Sequence, residues 1–229
     1  MLLDRTIHKA QNAIHYIQMY GMNDFVHAFV DRAAGNYYER HLGIDTYGYI
    51  NPVDLGFTNT EFNAYIPIGY RAIYSVLERI PLEKSKSTFV DYGAGKGRAV
   101  VVAATLPFKR VIGIELSAAL LEAAKNNVGK MRYKRAASVE LYQMDATQYV
   151  VPKDVNMIFF YNPFKGQALK KVVDNIYDSY QQYPRKIYII FFNNDHFEKV
   201  IANQNWIMRI YKKSFNSINT CGIYVTKAL

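Results

Sequence analysis

Cysteine is almost missing from this chain. Cys221 stands alone among 229 residues, so no disulfide can close within the chain and a cysteine-rich zinc site is excluded. Long apolar runs are missing too. The longest, such as Ala99 to Pro107 and Ile187 to Phe192, fall far short of the ~20 residues that cross a bilayer. Met1 to Gln11 carries Asp4, Arg5, His8 and Lys9 with no apolar stretch, so no secretory signal is expected and the cytoplasm is the simplest location. The five histidines form no H-E-x-x-H pair, and no metal site is expected. A G-x-S-x-G elbow for acyl transfer is also lacking. No internal repeat or low-complexity tract interrupts the sequence. Acids are outnumbered, 19 against 28 Lys and Arg, for a net charge of +9. That balance raises the prior for an acidic partner such as nucleic acid, although the basic residues are scattered. Half of the residues are hydrophobic, which excludes a disordered chain, and the length suits one α/β domain.

Helical spacing dominates the first part. Leu3, Ile7, Ala10, Ile14 and Ile17 mark one apolar helix face, ended by Gly21. Asn23 is placed to cap a second, short helix carrying Phe25, Val26, Phe29 and Val30, with Gly35 as its stop. Residues 36 to 60 lose periodicity and read as a long loop. A further helix is expected over Ile68 to Glu78, ended before Pro81.

From Ser87 onward, short apolar strands alternate with amphipathic helices. Strands are expected at 88–92, 110–115, 139–143, 155–161, 187–192, 206–211 and 223–226, with helices at 98–106, 117–128, 169–180 and 197–202. The pattern predicts an α/β fold, a mostly parallel seven-stranded sheet covered on both faces. The last two strands lack a crossover helix, so an antiparallel hairpin at one edge is expected, with Cys221 packed in an edge strand.

The most informative segment is Asp91-Tyr-Gly-Ala-Gly-Lys-Gly97, where a strand runs into glycines and then into a helix. Such a turn lets a ligand approach the main chain and turns helix N–H groups toward an anion. The glycine spacing is G-x-G-x-G, neither the dinucleotide G-x-G-x-x-G, whose last glycine is replaced by Arg98, nor a P-loop. Two further acids end the next strands. Glu115 lies 24 residues after Asp91, near the ~20-residue spacing of an acid that accepts ribose hydroxyls. Asp145 follows the third strand and is placed to meet an adenine amino group.

The run 91–97, the strand-end Glu115, the Asp145-Ala146 pair and Asn162-Pro163-Phe164 together resemble the successive motifs of class I S-adenosylmethionine-dependent methyltransferases. The resemblance covers about residues 60 to 229. It implies a Rossmann-like sheet whose last strand is antiparallel, preceded here by a helical cap over 1–60. It implies S-adenosyl-L-methionine as cofactor. The implied cofactor contacts are Asp91, Tyr92, Gly93, Ala94, Gly95, Gly97, Glu115, Leu116, Asp145 and Ala146. Asp91 and the glycines would hold the methionine end, Glu115 the ribose and Asp145 the adenine. Asn63-Ala-Tyr-Ile-Pro67 is similar to a Tyr-x-Pro segment of some non-SET lysine methyltransferases, which makes Tyr65 a further cofactor contact.

Asn162-Pro163-Phe164 resembles the Asn-Pro-Pro-Phe motif of enzymes that methylate amino nitrogens, one proline short. By that resemblance these three residues form the catalytic side, facing the methyl acceptor. Protein lysine is the first expectation for that acceptor, with RNA, DNA or a small molecule close behind. A methyltransferase-like binding or sensor protein without turnover is the alternative reading.

Overall fold

The computed structural model describes residues 14, 15, 17–57, 61–193, 195–217 and 219–227. Leu3, Ile7, Ala10 and His8 of the expected first helix lie outside the described residues. The described helical residues 14, 15 and 17–20 end at Gly21, as the spacing predicted. Among the described residues no helix is long and apolar enough to cross a membrane.

Seven strands form one sheet: β1 (Thr88–Tyr92), β2 (Arg110–Glu115), β3 (Val139–Gln143), β4 (Val155–Tyr161), β5 (Tyr188–Phe192), β6 (Ile207–Ser214) and β7 (Thr220–Thr226). Their order is β3-β2-β1-β4-β5-β7-β6. Neighbouring pairs are parallel from β3 to β5, and β7 is antiparallel to both β5 and β6. Six strands therefore run one way and β7 runs against them. The expected antiparallel hairpin forms at one edge of the sheet, with β6 outermost. The expectation for Cys221 is corrected: β7 lies between β5 and β6, so Cys221 sits on an inner strand, fully buried. The composition explains this. Thr220–Thr226 is buried along nearly its whole length, whereas β6 exposes Met208, Arg209, Ile210 and Lys212 and suits the rim.

Period-2 alternation divides the interior. Phe89, Val111, Met157, Phe159, Ile190 and Ile223 face one core; Val90, Tyr92, Ile112, Ile158, Phe160, Phe191 and Tyr224 face the other. The first core is closed by α1 (Met22–Leu42), α2 (Tyr70–Arg79) and α3 (Arg98–Ala104), and the second by α5 (Gly166–Gln182) and α6 (Asp195–Ile201). Between α3 and α5 in sequence lies α4 (Ala118–Lys130), whose N-terminus Ser117 caps by accepting from the Leu120 N–H.

Two expectations for the N-terminal region are corrected. Asn23 is not the cap, because α1 begins at Met22 after Gly21. Gly35 does not stop the helix. It is buried inside α1, and a Cβ there would lie 1.9 Å from the Tyr47 hydroxyl. Its smallness serves a close approach, and the helix ends only at Gly43, φ 75°. The expected loop 36–60 consequently shortens. Residues 36–42 belong to α1, and Pro52–Leu55 forms a 3₁₀ turn capped by the Asn51 side chain.

Candidate active site

The strands β1, β2 and β4 point their carboxyl ends at one cavity, the position where open α/β sheets hold ligands. Asp91, Gly93, Ala94, Gly95, Glu115, Leu116, Asp145 and Ala146 line it from one side. Asn162, Pro163 and Phe164 line it from the other, and Tyr65 lines it with its ring against Gly95. Two expected residues are not among the lining. Tyr92 points to the opposite face of the sheet, stacked on Phe160 at 4.9 Å. Alternation along β1 requires this once Asp91 faces the cavity. Gly97 adopts φ 84° as the cap of α3 and abuts Ala124 of α4.

The glycine loop is tight because its neighbours touch the backbone. At Gly93, φ 75°, a Cβ would lie 2.4 Å from the Pro163 ring; at Gly95, φ 56°, it would lie 2.3 Å from the Tyr65 ring. Any other residue would push Pro163 or Tyr65 away and would strain the backbone.

The two buried acids differ in their surroundings. Glu115 accepts from the Gly95 N–H at 2.8 Å and from the Ser117 N–H at 2.9 Å, so it ties the glycine loop to the start of α4. Burial raises its pKa, and these backbone donors partly offset the rise. Its carboxylate has about four lone-pair directions, more than these donors fill. The Asp91 carboxyl has no hydrogen-bond partner among the described residues. Burial, and then the nearby Glu115 charge, push its carboxyl up to about 8. Asp145 bonds the Thr147 N–H and hydroxyl through one oxygen, which leaves the other.

Segment 61–65 straps the other rim. Its Phe62 pairs with Phe164 as an isolated antiparallel bridge, and Tyr65 pairs with Ile50. The Asn63 N–H donates to the Pro163 carbonyl at 3.2 Å, and Lys165 N–H to the Glu61 carbonyl at 3.0 Å. Glu61 also accepts from Gln167 N–H at 2.7 Å and Ala168 N–H at 3.3 Å, capping α5. Asn162 has φ 45°, a left-handed turn that few residue types besides glycine and asparagine adopt readily.

Sequence reasoning missed the group that joins the N-terminal region to this site. The Arg98 guanidinium donates to Thr46 Oγ1 (2.6 Å), to the Ile68 carbonyl (2.8 Å) and to Glu39 Oε1 (3.1 Å). It lies between the Tyr47 and Tyr70 rings, 4.6 and 4.5 Å from their centroids. The Tyr65 hydroxyl donates to the Thr46 carbonyl at 2.6 Å, and Lys96 Nζ to the Tyr47 carbonyl at 2.6 Å. Asn127 donates to the Asp45 and Lys96 carbonyls, both at 2.9 Å. Residues 45–47 are thus bonded in turn to the flanks of the glycine loop. The one sequence signal was Arg98 itself, a cation directly after the glycines.

A family model described as "Methyltransferase domain" matches residues 83–218. Solved structures share the fold. A ribosomal protein L11 methylase from Lactobacillus delbrueckii subsp. bulgaricus aligns at TM-score 0.54 and 17% identity, covering 68% of this chain and 76% of that one. An RNA methyltransferase from Salinibacter ruber, in complex with S-adenosyl-L-homocysteine, aligns at 0.54 and 18%, covering 70% and 94%. A predicted N6-adenine-specific DNA methylase from Listeria monocytogenes aligns at 0.53 and 14%, covering 71% and 52%. No curated protein matches the sequence. The family match spans more than half of the chain, and the strand order, reversed β7 and strand-end cavity agree with it. The chain belongs to the methyltransferase-domain family, with the class I S-adenosylmethionine-dependent fold.

Proposed function

We propose that this enzyme methylates an amino nitrogen, and that the nitrogen is a protein lysine. The observation that carries this is the turn after β4. There the Asn162 carbonyl and side-chain oxygen lie side by side in the wall of the cavity that holds Asp91 and Glu115. Two neutral acceptors hold an N–H-bearing nitrogen without protonating it, and its lone pair stays free for attack.

The residues present fit S-adenosylmethionine, which supplies a methyl group on a positively charged sulfur. Asp91 is a buried acid without a partner, suited to the ligand's ammonium group. Glu115 keeps lone pairs for ribose hydroxyls, and Asp145 keeps one oxygen for the adenine amino group. Pro163 packs on Gly93 and fixes the distance between the acceptor turn and the glycine loop. The strap 61–65 shields the cavity from water.

Lysine is favoured over a nucleotide by the acceptor-side lining, which includes Leu55, Phe57, Phe62, Ile66 and Phe164. An aliphatic stem packs well on such a surface. The one cation among the described lining residues, Arg98, is already engaged by Glu39, Thr46 and Ile68. That leaves no cation there for a phosphate.

Labelled S-adenosylmethionine incubated with fractionated lysate tests the proposal. Label is expected in protein and in methyl-lysine after hydrolysis; label confined to RNA or DNA overturns the acceptor assignment. Asn162→Ala should cut turnover at least tenfold while S-adenosylhomocysteine affinity stays within about twofold, because a hydrogen bond made to the reacting nitrogen stabilises the transition state by about 1.5–3 kcal/mol. Equal losses in both would assign Asn162 to the cofactor.

A further inference from the structure

The acceptors that the proposed function assigns to the substrate nitrogen already have an occupant. Asn63 Nδ2 donates to the Asn162 carbonyl at 2.9 Å and approaches Asn162 Oδ1 at 3.3 Å. One NH₂ group thus bridges both oxygens. The orientation of the Asn63 amide is fixed by its partners: turned over, its own oxygen would face two acceptors with no hydrogen between them.

Building on that reading, we infer that the Asn63 amide is an internal stand-in for the acceptor's amino group, and that an acceptor binds by displacing it. The chemistry of the stand-in narrows the substrate class. The seat fits a nitrogen carrying two hydrogens, such as a primary amine or an exocyclic amino group. A hydroxyl or a thiol brings one hydrogen and satisfies one of the two oxygens. The strap holding Asn63 is short and has its own anchors: the Phe62–Phe164 bridge, the Asn63 N–H to the Pro163 carbonyl, and Glu61 on the first turn of α5. Asn63 therefore competes as a tethered ligand, at a high effective concentration. In the absence of an acceptor it satisfies two oxygens that would otherwise be half-buried and unpaired.

Sinefungin provides the probe. This analogue of S-adenosylmethionine carries an amine where the transferable methyl stands, whereas S-adenosylhomocysteine has nothing at that position. The dissociation constants of both are measured by calorimetry for the unaltered chain, Asn63→Ala and Asn63→Asp. Asn63→Asp keeps the size of the side chain and places a carboxylate opposite the two oxygens, so it empties the seat by repulsion and serves if the alanine variant is poorly folded. Both variants should bind sinefungin about tenfold more tightly, as expected when one competing hydrogen-bond donor is removed. S-adenosylhomocysteine affinity should change less than about twofold. If the unaltered chain binds S-adenosylhomocysteine and the ratio of the two constants is the same in all three proteins, this inference is overturned alone. If the unaltered chain does not bind S-adenosylhomocysteine at all, the proposed function falls and this inference with it.

Discussion

Asp91 and Glu115 are both acids at strand ends, on neighbouring strands of one sheet, and both are buried. What separates them is the supply of donors. The glycine loop and the start of α4 each give an N–H to Glu115, and nothing among the described residues gives one to the Asp91 carboxyl. The carboxyl of Asp91 is therefore held up to about 8, by burial first and by Glu115 second. In the unfolded chain it titrates near 4, roughly the ordinary aspartate value. The folded state keeps a proton that the unfolded state loses, so this group's contribution to stability falls as pH rises from about 4 to about 8. Asp91→Asn removes that dependence. The variant should gain stability over the unaltered protein between pH 5 and pH 8 in urea titrations, and should lose cofactor affinity. Calorimetry adds a second readout. At pH 7 a cationic ligand group drawn to Asp91 expels its proton, so S-adenosylhomocysteine binding should release close to one proton, seen as a heat that varies with the buffer. Asp91→Asn should abolish the release. Binding without proton release would mean that the ammonium group sits elsewhere. The sequence made these acids legible because each ends an apolar strand, and the glycines beside Asp91 pointed to the cavity that both line. It did not reveal that Tyr92 turns away from them, a consequence of pleating that the motif as a string of letters conceals.

Elements meet at Arg98. α1 supplies Glu39, the following turn supplies Thr46 and Tyr47, and α2 supplies Tyr70, and all of them converge on the first residue of α3. The pair Arg98–Glu39 lies at 3.1 Å with both side chains nearly inaccessible, 6% and 10% exposed. Breaking a buried pair from one side leaves the other charge uncompensated, at a cost of about 3–5 kcal/mol. Arg98→Met should lower the unfolding free energy by that order in urea titrations. Arg98→Lys should recover part of it, since an ammonium can pair with Glu39 but cannot also reach Thr46 and Ile68 in the geometry of a planar fork. Equal stability of the lysine variant and the unaltered protein would show that charge alone matters here and that the convergent hydrogen bonds add nothing. This junction was poorly legible beforehand. Gly35 read as a helix stop because local propensity disfavours glycine within helices. Its reason for being there, the approach of Tyr47, comes from a residue twelve positions away in a different element.

At the scale of the whole molecule, the alternation of apolar strands and amphipathic helices from residue 88 indicated the strand count and an antiparallel hairpin at one edge, and the family resemblance implied that the last strand is the reversed one. The order at the β5 side was hidden, because an edge hairpin of two short strands can attach to β5 through either of its strands. Burial along β7 decides for insertion, and that is a property of packing that Ile223–Thr226 alone did not disclose. The result is one sheet whose strand-end cavity draws on β1, β2 and β4, on the turn after β3, and on the strap before α2. A ligand seated there touches segments spread from Tyr65 to Phe164, so its binding energy is added to the stability of the folded unit as a whole. S-adenosylhomocysteine at ~100 times its dissociation constant should add about 2.7 kcal/mol. For a domain of this size that is a rise of roughly 5–10 °C in the unfolding midpoint. NADH should give none, because the loop lacks the dinucleotide glycine spacing and carries Arg98 in place of its last glycine. A shift with NADH equal to that with S-adenosylhomocysteine would mean that the cavity recognises adenosine alone. Asp91, the acid assigned to the methionine end, would then have no part in selecting the cofactor.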